Sequence, residues 1–331
     1  MNKRNWLVLL LIGAFAITTF NSCKKEESTD TDTGPTEWET SIVLTGKPRN
    51  GAATFTINDV AYLVGGQMKN NELLSDSYSF DGTSWTKKAE FTGPKRHSGV
   101  GFAVAGKGYV GLGFGNDGVT SGPLKDFYQY DPATNAWKKI ADFPGDARHS
   151  AVAFTLGNAA YVGLGGNNAT DETFSDFYKY DPATDKWTEI ATSFSNKKMG
   201  AYAFVINNVA YVGGGISNGV PTNDFYSFDG TKWEKKKSLT EDNKDARRVN
   251  ASAFTIGSNG YVVSGRSQTG VVSTVWKYNP AENAWSDGSE SIPSAREKSV
   301  AFAIKGKGYI STGNSGTGSF FDDTYVFTPV R

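Results

Sequence analysis

Small and large apolar residues alternate along much of this chain. Gly101-Phe102, Ala153-Phe154, Ala203-Phe204, Ala253-Phe254 and Ala301-Phe302 each sit in a short stretch of period two. Period two sends successive side chains to opposite faces, so each stretch predicts a strand with one bulky and one narrow face. Turn-forming pairs follow: Asn58-Asp59, Gly106-Lys107, Gly157-Asn158 and Asn207-Asn208, the composition of hairpins. A second strand carries a Tyr and ends at a Gly. A third reads Asp-x-Tyr-x-aromatic. Asp-Pro-Ala-Thr (131–134, 181–184) or Asp-Gly-Thr (81–83, 229–231) then turns the chain into a fourth strand, which carries a Trp.

This four-strand unit recurs. Trp38, Trp85, Trp137, Trp187, Trp233 and Trp285 are spaced by 47, 52, 50, 46 and 52 residues. A basic residue stands 11 positions after each Trp, except that the fifth unit needs 15: Arg49, Arg96, Arg148, Lys198, Arg248 and Arg296. A Phe follows each by six, a Tyr follows that Phe by seven and a Gly follows that Tyr by four, ending at Gly66, Gly113, Gly165, Gly215, Gly265 and Gly313. Asp-x-Tyr comes next in five units, and the fifth unit has Thr274 and Trp276 instead. A repeat of about fifty residues built from strands predicts stacked four-stranded blades. Seating bulky faces on narrow ones would fill space between blades at the density of a protein interior.

The first Trp has no strands one to three before it, and the last unit stops at Tyr325-Val326-Phe327, after strand three. Pairing the strand around Trp38 with that last unit would close a ring and hide two sheet edges. The residues resemble the kelch-repeat family over 36–331: the glycine ending strand two, the Tyr, the Tyr-Asp-Pro turn and the Trp. The family's paired glycine stands complete at Gly65-Gly66, Gly165-Gly166 and Gly213-Gly214-Gly215, and is reduced at Ser264-Gly265 and Thr312-Gly313. The resemblance implies an all-β, six-bladed β-propeller, four antiparallel strands per blade, closed by the N-terminal strand.

Lys+Arg and Asp+Glu are equal at 34 each, so no global field favours nucleic acid. Cys23 is the sole cysteine, which excludes an intrachain disulfide. Lys3 and Arg4 precede an apolar run of 15 residues from Trp6 to Phe20, short for a membrane span and suited to a secretion signal. With Cys23 close behind, residues 1–22 resemble a bacterial lipoprotein signal, although Phe20-Asn21-Ser22 departs from the usual aliphatic-small-small run. That resemblance implies lipidation of Cys23, a polar tether over 23–35, and membrane attachment through the lipid. Lys24-Lys25-Glu26-Glu27 resembles a surface-export tag of Gram-negative lipoproteins. The expected location is the outer membrane, facing outward, with a periplasm-facing alternative.

The basic residues, the glycines and the long loops (67–75, 114–125, 166–175, 216–223, 266–273, 314–322) fall on one face of such a ring, and loops on a rigid frame are where binding concentrates. In the family, strand one lies nearest the central channel. That places Arg49, Arg96, Arg148, Lys198, Arg248 and Arg296 around its mouth, suited to an anion. The competing reading of a sixfold feature is scaffold, each cation pairing with the Asp of Asp-x-Tyr. Breaks in symmetry add secondary candidates: Phe114 in the long blade-two loop, Glu241 and Asp242 in the extension before Arg248, and Arg266 in blade five. Phe114 and Tyr202 are the aromatics available to a sugar.

Copper-radical chemistry of the galactose oxidase type needs two His, two Tyr and a Cys crosslink, and no Cys lies within the propeller. His97 and His149 occupy one repeat position in adjacent blades, which points to no metal site. No cofactor motif is present. Two functions stay open: a non-catalytic, monomeric recognition module for a glycan or protein on the long-loop face, which is favoured, and a sugar-acid mutarotase resembling kelch-type N-acetylneuraminate epimerase. The second needs an acid/base, for which Glu241, Asp242 and Glu297 are candidates, and a cation for the carboxylate.

Overall fold

Strand one of each unit packs beside strand one of the next, and the series returns to its start: Ala53–Ile57, Val100–Val104, Val152–Leu156, Met199–Ile206, Ser252–Ile256 and Val300–Ile304 touch in that order, and the last touches the first. The computed structural model describes residues 37–116, 120–191, 194, 196–239, 246–287 and 289–329. Pro35–Arg331 forms one unit. Cys23, the tether and the extension with Glu241 and Asp242 lie outside the described residues.

Among the described residues five blades are four-stranded antiparallel sheets, the blade-four sheet adds Val220–Pro221 as a fifth strand, and two small sheets of three and two strands lie in the loops. Blade two is typical: Val100–Val104, Lys107–Gly111, Phe127–Asp131 and Ala136–Lys139 pair in sequence order. Blade six takes its fourth strand from the head of the chain. Trp38–Thr40 pairs with Thr324–Phe327, with Trp38 opposite Phe327 and Thr40 opposite Tyr325. The Trp38 indole donates to Glu290 O at 2.9 Å, and its ring lies 4.8 Å from Phe327.

The alternation of large and small residues explains the packing between blades. Phe55 of blade one lies over Gly108 of blade two, where a Cβ would sit 2.0 Å from the ring. Phe204 over Gly260 and Phe254 over Gly308 repeat the arrangement. Such positions tolerate no added methyl without displacing an aromatic ring. Five of the six repeat tryptophans rivet their blade to the one before it through the indole N–H, whereas Trp233 Nε1 is buried without a hydrogen-bond partner among the described residues. Trp137 donates to Ala89 O, Trp187 to Ala141 O and Trp285 to Lys237 O, at 3.3, 3.1 and 2.9 Å. These buried aromatics form the six inter-blade cores.

The glycine ending strand two has a definite task. Gly113 has φ +97, and a Cβ there would lie 2.7 Å from His97 O. Its N–H donates to Arg148 O of the next blade at 2.9 Å. Gly66, Gly165, Gly215 and Gly265 bond to Arg96, Lys198, Arg248 and Arg296 in the same way, and Gly313 completes the circuit to Arg49. A repeated left-handed glycine therefore holds each blade against its successor.

Candidate functional site

The six repeated cations lead to the site by pointing away from it. Arg148 is fully buried. Its Nη1 and Nη2 bond the two carboxylate oxygens of Asp176 at 2.5 and 3.0 Å, Nη1 also reaches Leu164 O, and Nε reaches Asp146 O. Arg49–Asp76, Arg96–Asp126 and Arg296–Asp323 repeat this bidentate clasp. Lys198 substitutes one ammonium, bonded to Asp224 and to Gly214 O. Arg248 meets Thr274, the residue that stands in for Asp in blade five. Burial would raise the Asp76 carboxyl, but hydrogen bonds and charge from Arg49 outweigh it and hold the group below its ordinary range. The expectation that these six cations offer themselves to an anion is therefore corrected. They tie strand one to the start of strand three within each blade, and Arg148 spends four of its five N–H donors on the protein.

Two residues beyond each clasp the backbone turns left-handed, at Gly51, Ser98, Ser150, Gly200, Asn250 and Lys298, with φ between +51 and +66. Each of these N–H groups donates to the carbonyl of its counterpart in the preceding blade. Ser98 bonds Gly51, Ser150 bonds Ser98, Gly200 bonds Ser150, Asn250 bonds Gly200, Lys298 bonds Asn250, and Gly51 bonds Lys298, all at 2.7–3.0 Å. The result is a closed hoop of six hydrogen bonds around the channel neck. Left-handed φ costs Ser and Lys roughly 1 kcal/mol each, and the bonds of the hoop offset it. The hoop also consumes its own amide donors, so a ligand at the neck meets side chains.

Four of those side chains, His97, His149, Met199 and Val249, come from the residue between clasp and hoop, where the other blades have Asn50 and Glu297. This position holds His in two adjacent blades and a different residue in each of the other four. Above the neck lies a pocket of about 290 Å3. His97, His149, Asn168 and Lys298 supply its polar wall, and Phe114, Met199, Ile216 and Val249 its apolar one. Below the hoop the channel continues as a space of about 280 Å3 lined by small residues in or just before strand one, among them Ala52, Gly101, Ala151 and Ala251, together with Tyr202.

The imidazoles are held in place. His149 is buried, with Nε2 at 2.9 Å from Asn168 Oδ1 and Nδ1 at 3.0 Å from Ser150 Oγ. Since Asn168 Oδ1 accepts, Nε2 carries the proton and the Ser150 hydroxyl donates to Nδ1. His97 has Nδ1 on Ser98 Oγ at 3.0 Å and its ring 5.6 Å from Phe114. Burial, then the charge of Lys298, then His149 push His97 down to about 4. Burial and Lys298 lower His149 as well, against a rise from its bond to Asn168. Lys298 has no ion-pair partner among the described residues and is the pocket's one permanent charge.

The family model described as the KLHDC2/KLHL20/DRC7 Kelch-repeats domain matches residues 21–200 and 149–331. This chain belongs to the kelch-repeat family. A solved kelch-type relative, reported as "Structure of YjhT", superposes with a TM-score of 0.72 at 16% identity, covering 86% of this chain and 96% of that one. At that identity the likeness speaks to the fold alone. Curated matches are short. N-acetylneuraminate epimerase of Yersinia enterocolitica is 39% identical over 62 residues, 18% of this chain and 16% of the relative. That of Yersinia pestis is 36% identical over 87 residues, 24% and 21%. The matched stretch thus spans about a sixth to a fifth of these relatives.

In this kelch propeller Phe114 does reach the pocket. It begins a short hairpin, Phe114–Asn116 with Ser121–Pro123, which also pairs with Lys95–His97. Arg266 clasps the buried carboxylate of Glu297 on the rim. That bond corrects Glu297 as a free acid. Tyr202 is a correction too: it is buried inside strand one of blade four, not displayed on a loop. His97, His149, Asn168 and Lys298 were missed as a group. The available signal was the variable residue after each repeated cation, which holds His97 and His149; Asn168 and Lys298 carried no such signal.

Proposed function

We propose that this kelch propeller is a recognition module whose mouth pocket holds one acidic sugar unit, tethered to the cell envelope through a lipid on Cys23. The observation that carries the reading is Lys298, an ammonium with no ion-pair partner among the described residues, in a concave pocket lined by both polar and apolar side chains. A carboxylate would be drawn to Lys298, hydroxyls to Asn168 and the imidazoles, and the C–H or acyl face of the sugar to Phe114, Met199, Ile216 and Val249. The volume of about 290 Å3 stands at the small end of ligand pockets, suited to one monosaccharide and not to a folded partner. Calorimetric titration with N-acetylneuraminate and with neutral N-acetylmannosamine tests it. The acid should bind and the neutral sugar should not; equal binding or none would overturn the reading.

The short matches to N-acetylneuraminate epimerase favour one second reading, a sugar-acid mutarotase. Ring opening removes a proton from the anomeric hydroxyl and delivers one to the ring oxygen, and reclosure reverses both. Two neutral imidazoles in one pocket could exchange those protons. A base held near 4 is a weak acceptor at neutral pH, where catalysis wants a value closer to 7, so recognition ranks first. Exchange spectroscopy between the anomers decides: faster interconversion with protein, lost in His149→Gln, would establish the enzyme.

A further inference from the structure

We propose that the acid which Lys298 attracts is gripped from across the pocket by His97, and that His97 takes up one proton from solution as the acid binds. This deepens the recognition reading and rests on it.

The hoop sets the geometry. Lys298 belongs to blade six, His97 to blade two and His149 to blade three, yet the Lys298 charge acts on both imidazoles. All three side chains line the same pocket. A carboxylate placed in the pocket has no hoop amide to use, because all six donate within the hoop. It must be held by side chains. His149 has both ring nitrogens engaged, on Ser150 and Asn168. His97 has only Nδ1 engaged, on Ser98, which leaves Nε2 without a protein hydrogen-bond partner among the described residues.

The groups that act on His97 are Lys298 from blade six, His149 from blade three, and Ser98 and Phe114 from its own blade. The nearby Glu297 carboxylate is bound to Arg266. No carboxylate among the described residues acts on this imidazole, and burial first, then the charges of Lys298 and His149, hold it down to about 4. A ligand carboxylate reverses the two charge effects together. It neutralises the repulsion from Lys298, and it attracts the charged imidazole directly. The proton comes from the buffer and lands on an imidazole nitrogen; no bond to carbon is made or broken. By linkage, binding then strengthens as the solution becomes more acidic, down to the free-state value.

This chain contains only two histidines, so imidazole C–H resonances of the full-length protein can be followed one by one. The test is a pH titration by NMR without and with saturating N-acetylneuraminate, beside calorimetry at about pH 5 in two buffers of different ionisation heat. The His97 midpoint should rise by about one unit or more with ligand, and binding should take up about half a proton. In His97→Gln the uptake should vanish and affinity fall roughly tenfold. Identical heats in both buffers with an unmoved midpoint would overturn the proposal and leave the recognition reading standing. No binding of the acid by the unmodified protein would sink both. Should His97→Gln fail to fold, the titration of the unmodified protein decides alone.

Discussion

Arg148 and His149 are chain neighbours with opposite duties. Arg148 has counterparts in all six blades, is fully buried, and its charge is answered inside its own blade. His149 has one like counterpart, lines the pocket, and shares it with a cation from the opposite side of the ring. The clasp layer is symmetric because every blade has the same mechanical problem, holding strand one to strand three. The mouth layer is asymmetric because a ligand meets it only once. Repetition here marks scaffold, and its failure at the next residue marks the site.

The sharpest way to break that contrast is to unbalance one clasp. Asp176→Ala leaves the Arg148 guanidinium buried without its carboxylate and should cost about 3–5 kcal/mol of stability by denaturant unfolding. A loss below about 1 kcal/mol would remove the clasp from its structural role. Next comes acidity. The folded protein holds His97 below its ordinary 6.5, at about 4, so the unfolded chain binds the proton first. The stability this contributes is complete above about 6.5 and is lost as pH falls towards 4, up to about 3 kcal/mol. His97→Gln should flatten that slope in unfolding curves taken across the window. At the mouth, Lys298→Met should lower affinity for an acidic sugar by about tenfold or more, about 1.4 kcal/mol, while unfolding stability stays within about 0.5 kcal/mol. The mildest is Arg148→Lys. Lys198 already performs this task in blade four with one ammonium, so the exchange should cost only about 1 kcal/mol, from losing the Nε bond to Asp146 O and the second carboxylate bond.

The blades were legible because their causes are local. Alternation, turn residues and a Trp every fifty positions specify sheets that stack, and the unpaired strand around Trp38 points to its partner at Tyr325–Phe327. The site was legible only in part. Phe114 was found because its loop is longer than its counterparts. Arg49, Arg96, Arg148, Lys198, Arg248 and Arg296 were placed in the right layer but faced the wrong way, because one residue along an extended chain reverses a side chain. Sequence spacing locates a residue along the strand and says nothing of which neighbour its charge will find; the Asp of Asp-x-Tyr was the nearer answer. Lys298 was invisible for a related reason. Its importance comes from lying across a circle, and that closeness exists only once the circle is complete.

Trp38–Thr40 has a consequence for how the molecule is made. A ribosome delivers residues 38–40 ahead of all the intervening sheets and their partners 325–327 only after them. The earliest strand to emerge must therefore stand idle while five whole sheets are synthesised, and the final contact to form spans nearly the entire polypeptide, the slowest kind of closure for a folding chain. Until Tyr325-Val326-Phe327 arrives, Trp38–Thr40 has no strand to pair with, and the sixth blade, which carries Lys298, stays unclosed.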